Sequence, residues 1–373
     1  MLIAHPSPDL YGSDLQMLET VQGLLSGQFD VTVAMPEFGP LTSRVEESGA
    51  SLVQTPFPVL RKSALSPAGL LSSALAHLKA LRTLSAYAGV SKPDVIVVNT
   101  VTIPIWLLVG RLLRVPTICH VHEAEEEGRR VVLLSLLAPL HLADRVVTNS
   151  DAASRALHSV YPGLAPRTFR IYNGVEVRER SGSAVRPDTN CVDLLFVGRI
   201  SPRKGPDVLI RAAAGLVRQG IPVRLRIVGS VFQGYEWYHE ELLALTERLE
   251  MSERVEFCGY RTDPFNAASA QTILVVPSRS EPFGNVAVEA QMLGLPVIAS
   301  DVQGLSEIVK HGVTGLLFDV GSHESLVDRV QWILDHPAER TTMIADARNI
   351  AFEKFGVDRY HAEFAQTVRM ALR

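Results

Sequence analysis

Little in this sequence marks it for an oxidising compartment, a membrane span or a polyanion. Its 373 residues include only 3 cysteines. Cys119, Cys191 and Cys258 lie far apart, with no Cys-x-x-Cys, each in or beside an apolar run. They frame neither a disulfide scaffold nor a zinc site and read as buried, reduced thiols. No stretch reaches the roughly 18 to 20 uninterrupted apolar residues that a membrane span needs. The first residues, Met1-Leu-Ile-Ala-His-Pro, lack the charged and extended apolar regions of a signal peptide. The formal net charge is -4, so no global field attracts nucleic acid or an anionic bilayer. A cytoplasmic chain with room for two domains of ordinary size is expected.

What is present is an alternation of short apolar strands with longer helical patterns, the mark of parallel sheets wrapped by helices. Strands are expected at 2–4, 31–35, 51–54, 95–99, 117–121, 145–148 and 169–171. Ser13 is expected to cap a helix running to Leu25, with Leu15, Leu18, Val21, Leu24 and Leu25 on its buried face. Residues 176–190 replace the apolar pattern with Arg, Glu, Ser, Gly, Pro and Asp and read as a linker. Alternation then resumes, with strands at 193–197, 224–228, 255–257, 273–276, 297–299 and 316–318. The expectation is α/β, with a Rossmann-like domain at 1–175, a second at 191–350, and a helical segment at 351–373. Two such halves leave a deep cleft between them, suited to a two-part substrate.

Three stretches carry two readings each. Residues 131–142, preceded by Arg129-Arg130, suit a helix lying on an anionic bilayer or a core helix. The proline-marked loop with Arg61-Lys62 is placed to meet an acceptor or is plain surface. The acidic run Glu123-Ala-Glu125-Glu126-Glu127 is a solvated face or belongs with His120-Val-His122 at a strand end.

Two turns stand out in the second half. After the strand at 193–197 comes Gly198-Arg199-Ile-Ser201-Pro-Arg203-Lys204-Gly205, without Walker spacing. Its arginine fork and lysine charge can hold a diphosphate and steady it as a leaving group. After the strand at 273–276, the loop from Ser278 to Gly284 leads into a helix stopped by Gly294 and Pro296. Glu281 sits in that loop, Gly284 permits close backbone approach, and Asn285 and Glu289 share a helix face. Donor N–H groups at a helix start beside two carboxylates suit a polyhydroxylated ligand carrying phosphate, although solvated helix-end charges would look the same.

Glu281-Pro-Phe-Gly-Asn-Val-Ala-Val-Glu289, with the apolar strand and Pro-Ser before it and Leu-Gly-Leu-Pro-Val-Ile-Ala-Ser after it, resembles the E-x7-E motif of the retaining glycosyltransferases of family 4, which have the GT-B fold. Gly304, Glu307 and Gly312-Val-Thr-Gly-Leu-Leu-Phe extend the likeness. The resemblance implies a hexosyltransferase that moves a sugar from a nucleoside diphosphate to a hydroxyl acceptor with retained configuration. It implies that Arg199 and Lys204 lie on the donor phosphates and Glu289 on the ribose hydroxyls. Glu281 would face the transferred sugar, and the N–H groups of Phe283, Gly284 and Asn285 would meet sugar and phosphate oxygens. Gly198 belongs to the phosphate turn, and Gly229 with Tyr260-Arg261 to the base pocket.

In the first half, Tyr11-Gly12-Ser13-Asp14 is similar to the family's glycine-rich loop with one glycine kept. His122, followed by Glu123, is similar to the histidine that faces the sugar, with His120 the competing ring. Asn149-Ser150 and Asn173-Gly174-Val175 match positions lining the cleft, and the last helix would cross back to the first domain. The expected catalytic set is His122, Glu281, Arg199 and Lys204. No Asp-x-Asp occupies a donor position, so no metal and no resident cofactor are expected. The partners expected are a nucleotide sugar and a sugar or lipid-linked acceptor, in surface polysaccharide or glycolipid synthesis. Peripheral contact with the inner membrane face through the first domain is compatible with this. The rivals are a silent scaffold acting as a binding subunit, which would be expected to lose Arg199, Lys204, Glu281 or Glu289, and another GT-B enzyme such as an epimerase.

Overall fold

A computed structural model describes residues 1–10, 12–60, 67–123, 130–177, 191–232, 234–269 and 271–373, with the side chains of 67–76 and 131 left aside. Tyr11, Arg61, Lys62, Arg129, the acidic residues Glu125 to Glu127 and most of the expected linker lie outside the described residues. The chain divides into unit 1, Met1–Gly174 with Val357–Arg373, and unit 2, Val175–Gly356.

Unit 1 is built on seven parallel strands: β1 (Leu2–Ala4), β2 (Thr32–Met35), β3 (Ser51–Gln54), β4 (Ile96–Asn99), β5 (Thr117–Val121), β6 (Arg145–Thr148) and β7 (Thr168–Arg170). Their order across the sheet is β3-β2-β1-β4-β5-β6-β7. The central strands β1, β4 and β5 are buried along their whole length, whereas the edge strand β3 is exposed at both ends. That difference is why the centre reads as unbroken apolar runs: both faces of a parallel sheet are covered. Helix α1 (Gly12–Ser26) and α2 (Pro40–Glu47) lie on one face; α3 (Pro67–Ser91), α4 (Ile105–Leu113) and α5 (Arg130–Leu137) lie on the other, followed in sequence by α6 (Asp151–Val160).

Unit 2 repeats the plan with six strands: β8 (Val192–Val197), β9 (Val223–Val228), β10 (Val255–Gly259), β11 (Thr272–Val276), β12 (Val297–Ser300) and β13 (Leu316–Phe318). The order β10-β9-β8-β11-β12-β13 reverses direction between β8 and β11, the position where open α/β sheets take ligands. Its helices are α7 (Pro206–Arg218), α8 (Glu236–Arg248), α9 (Asn285–Met292), α10 (Leu305–Ile308), α11 (His323–Asp335) and α12 (Pro337–Phe355).

The last helix, α13 (Val357–Ala371), belongs to unit 1 and packs against α1. Tyr360, Phe364 and Val368 are fully buried there, a burial worth about 1.5 to 3 kcal/mol for each side chain. Tyr360 OH lies 2.5 Å from Thr20 Oγ1, and a Cβ on Gly174 would come within 2.7 Å of the Tyr360 side chain.

Several expectations need correcting. Helix α1 starts at Gly12, so Ser13 is inside it and is not its cap. The sheet-facing stripe runs through Asp14, Met17, Val21 and Leu24, and Leu15, 42% exposed, lies off that stripe. Cys119 is buried, but the thiols of Cys191 and Cys258 are part-exposed. In the stretch 131–142, Leu133, Leu137 and Leu140 are buried, the last two in the unit 1 core, while Val132 is exposed. Residues 351–356 stay in unit 2, because α12 runs through position 350 unbroken, and Val175 joins them through a bridge to Gly356. Among the described residues, no helix is long and apolar enough to cross a membrane.

Candidate active site

The cationic turn after β8 and the acidic turn after β11 occupy the switch point of unit 2. They are fastened to one another. Arg279 N donates to Arg203 O at 2.8 Å, Arg203 Nη1 to Ser280 O at 2.7 Å, and Arg279 Nη1 to Pro202 O at 2.7 Å. Arg279 also grips Asp207, in the first turn of α7, through two bonds of 2.9 and 2.7 Å, and Tyr238 OH donates to the same carboxylate at 2.5 Å. Two loops that would otherwise cost entropy to order are thereby held as one surface.

Within that surface Lys204 Nζ donates to Glu281 Oε2, forming an ion pair whose side chains are 18% and 10% exposed. Ser278 Oγ donates to the same oxygen at 3.3 Å, and Glu281 N donates to Gln303 Oε1 at 2.8 Å. Burial pushes the Glu281 carboxyl up, but the charges of Lys204 and Arg203 and the bonds from Lys204 and Ser278 outweigh it and hold the group below the usual range. Burial pulls the Lys204 ammonium down, only partly offset by Glu281, and the like charges of Arg203 and Arg199 pull it further. Three cations therefore sense one another around one carboxylate.

Arg199 lies over the ring of Phe232, its Cζ 4.6 Å from the centroid, a contact that orients the guanidinium. The turn itself depends on glycine. Gly198 and Gly229 both have φ in the left-handed half, +156° and +150°, and a Cβ on Gly229 would lie 1.9 Å from Gly198 O. At the acidic turn Gly284, φ +115°, precedes α9, and a Cβ there would strike Leu305 at 2.6 Å. Phe283 is buried against Phe355, with ring centroids 5.7 Å apart, so its ring is taken up by packing.

Asn285 and Glu289 are both half-buried on α9. Loss of hydration pushes the Glu289 carboxyl up to about 7. Tyr260 and Arg261 follow β10, two strands away from β8, and both are exposed. Gly12 opens α1 in unit 1, exposed, with nothing within 4 Å of an added Cβ.

His122 lies at the end of β5 in unit 1, its Nε2 2.8 Å from Asn99 Oδ1. Burial and the neighbouring His5 hold it down to about 3. His120 is fully buried, its ring 4.0 Å from that of His122 and 5.5 Å from that of Phe364. Of the two rings, His122 is the one that reaches the surface of the unit. Asn149 and Ser150 are buried, and Ser150 Oγ caps α6 by accepting from Ala153 N at 3.0 Å. Sequence reasoning missed Arg279, Asp207, Gln303 and Phe232 in unit 2, and His5 and Asn99 in unit 1. The usable signal was a polar residue at the carboxyl end of a buried strand, which fits His5 and Asn99 alike.

Comparison with known proteins fits this geometry. D-inositol 3-phosphate glycosyltransferase 1 of Catenulispora acidiphila is 35% identical over 214 residues, 55% of this chain and 50% of that protein. The D-inositol 3-phosphate glycosyltransferase of Rhodococcus erythropolis is 33% identical over 217 residues, 55% and 49% of the two chains. The chain thus matches about half the length of these curated relatives. Among solved structures, HepE of Anabaena, in complex with UDP and glucose, superposes with a TM-score of 0.81 at 24% identity, covering 99% of this chain and 98% of that one. That likeness is one of fold: α/β, two Rossmann-like domains of the GT-B type. Residues 12–179 match the profile of glycosyltransferase family 4 and residues 178–350 that of glycosyl transferases group 1, and on these two contiguous matches the chain belongs to that glycosyltransferase family.

Proposed function

We propose that the chain transfers a sugar from a nucleoside diphosphate to a hydroxyl acceptor with retention of configuration. The observation that carries this reading is the convergence of Arg199, Arg203 and Lys204 on one turn, with Lys204 paired to Glu281. Such a cluster of cations suits a diphosphate, which gathers negative charge as the sugar departs. Arg199 and Lys204 bind the phosphates beside the Gly198 turn, where glycine at 229 lets the chain pass close to Gly198 O. Glu289 accepts from the ribose hydroxyls. Glu281, kept ionised by Lys204, faces the sugar beside the N–H groups of Phe283, Gly284 and Asn285, and the departing phosphate takes the acceptor's proton. Tyr260 and Arg261 serve the base. Uridine is the first base to test, because HepE was solved with UDP.

The acceptor belongs to unit 1, with Gly12 and His122. A pocket of about 280 Å³ opens at the carboxyl ends of β1, β2 and β3, lined by Pro6, Pro36, Glu37, Phe57 and Val59. Its mixed apolar and acidic lining suits a neutral polyol better than an anion. Inositol 3-phosphate, named for the relatives, and a polysaccharide or lipid-linked acceptor are the two arms of the acceptor test. Membrane contact is proposed at α4, where Leu108 and Leu112 are exposed beside Arg111 and Arg114 with no acidic residue in the helix; flotation with anionic vesicles tests it.

The decisive experiment is incubation with a panel of nucleotide sugars and measurement of nucleoside diphosphate release, with the product's anomeric configuration read by NMR. Release that depends on Lys204 supports the reading. Tight binding of UDP with no release from any donor would leave a binding scaffold in its place.

A further inference from the structure

Among the described residues other than glycine, Gln28, Lys92, Thr100, Arg114, Glu250 and Gln303 take a positive φ. Gln28, Lys92, Arg114 and Glu250 come within two residues of a helix end, where a left-handed residue is a common stop. Gln303, at +44°, stops no helix; it lies between β12 and α10 in unit 2, just before Gly304. A side chain at that φ carries a backbone cost that glycine would not. The side chain reaches back to the acidic turn. Gln303 Oε1 accepts from Glu281 N at 2.8 Å and from Ser280 Oγ at 3.0 Å. Beside it Gly304 N donates to Glu281 O at 3.1 Å, and a Cβ on Gly304 would come within 2.3 Å of Pro282 O.

These contacts orient the amide as well as the turn. A backbone N–H only donates, so the branch of the Gln303 amide that meets Glu281 N is the oxygen. Reversing the amide would set two donors against each other. Glu281 is therefore held at two places by different groups. Its main chain is held at N and O by residues 303 and 304, and its carboxylate by Lys204 and Ser278. Glycine at 303 would relax the backbone and release the first of these grips while leaving the second. A strained conformation kept at a site, where a relaxed one is open to the chain, points to function more than to stability.

We propose that Gln303 is a positioning residue: its amide oxygen fixes the main chain at Ser280 and Glu281 and thereby the aim of the Glu281 carboxylate. That the carboxylate meets a sugar rests on the sugar-transfer reading; the fastening rests on unit 2 alone. Gln303 acts through Glu281. The nucleotide is assigned to other groups, Arg199 and Lys204 for the phosphates and Glu289 for the ribose. The effect of Gln303 therefore falls on the step in which the sugar moves and spares the binding of the nucleoside diphosphate. A carboxylate misplaced by a fraction of an ångström is enough to slow that step.

The test compares the full-length parent with Gln303→Gly, which suits a positive φ and lacks the amide, and Gln303→Glu, which keeps an acceptor on the same stem. With a working donor, Gln303→Gly should lower kcat about tenfold, the scale of the lost hydrogen bonds, while its Kd for the free nucleoside diphosphate stays that of the parent. Gln303→Glu should restore most of the rate. Unaltered kcat in Gln303→Gly would overturn the proposal. Equal losses of kcat and of nucleotide affinity would also overturn it, since they would report a general disturbance of the site. If Gln303→Gly does not fold, Gln303→Asn decides in its place, being tolerant of the left-handed region and one methylene too short to hold both donors. Amide hydrogen exchange reads the fastening with no donor present. The Glu281 N–H should exchange slowly in the parent and in Gln303→Glu, and about tenfold faster in Gln303→Gly. A Glu281 amide that exchanges freely in the parent, or equally slowly in Gln303→Gly, would overturn the fastening. A parent that releases no nucleoside diphosphate from any donor would count against the transferase reading, and the exchange result would then decide whether Gln303 positions Glu281.

Discussion

Lys204 and Glu281, 77 positions apart in sequence, are paired at the floor of the switch point of unit 2. Burial disfavours the charge on each, and the charge of the other opposes that effect. Removing one partner strands the other. Glu281→Gln and Lys204→Ala should each destabilise the chain by about 3 kcal/mol, the lower end of the cost of breaking a buried pair, read by denaturant titration. Their effects on ligand binding should differ. UDP at a hundredfold over its Kd should stabilise the parent by about 2.7 kcal/mol; Lys204→Ala should lose most of that stabilisation, and Glu281→Gln should keep much of it. A full UDP shift in Lys204→Ala would refute the phosphate assignment.

Glu289 gives a dependence on pH. Its carboxyl is raised from about 4.5 to about 7 in the folded chain, so between those values the folded state binds the extra proton. The stability it contributes is whole below about pH 4.5 and is lost as pH rises to about 7. Glu289→Gln should therefore be more stable than the parent at pH 8, by about 3 kcal/mol, with the difference closing near pH 4. Ionised Glu289 is the better acceptor for a ribose diol, so donor affinity of the parent should rise through pH 7 and that of the variant should stay flat. Isothermal titration across this range checks both slopes.

The glycines separate into structural and unhindered ones. Gly229→Ala must displace the backbone at Gly198 and adopt an unfavourable φ, and should cost about 3 kcal/mol or more. Gly12→Ala meets nothing and should leave stability within about 0.5 kcal/mol of the parent. Thermal melts of the two variants distinguish these outcomes, and any loss of activity in folded Gly12→Ala would then report on the ligand.

Tyr360 tests the seam between α13 and the rest of unit 1. Tyr360→Phe removes only the hydroxyl bonded to Thr20 and should cost about 1 kcal/mol. Tyr360→Ala leaves a cavity between Gly174, His120 and Phe364 and should cost about 3 to 5 kcal/mol. Chemical denaturation should rank the two in that order.

The strands were legible because burial on both faces makes a parallel strand an unbroken apolar run, and their ends fell within a residue or two of expectation. The exposed edge strand β10 was the least well bounded, since its pattern mixes Glu256 and Cys258 with apolar residues. The residues of the two turns in unit 2 were legible through their spacing. What fastens the turns was not: Arg279 meets Asp207 across 72 positions, and neither residue carries a local mark of its partner. The hydrogen-bonded line from Asp14 through His5 and Asn99 to His122 escaped for the same reason. His5, Asn99 and His122 each look like an isolated polar group at the end of an apolar run, and only the strand order β1-β4-β5, with α1 bringing in Asp14, sets them side by side.

Unit 1 takes its last helix from residues 357–373, after the whole of unit 2 has been made. On a ribosome the half begun first must therefore wait, with a greasy slot beside α1, until the later half has emerged and had time to fold. Loss of some fifteen residues from the end would leave the earlier half unsealed and prone to clump, while the later half kept its full set of strands.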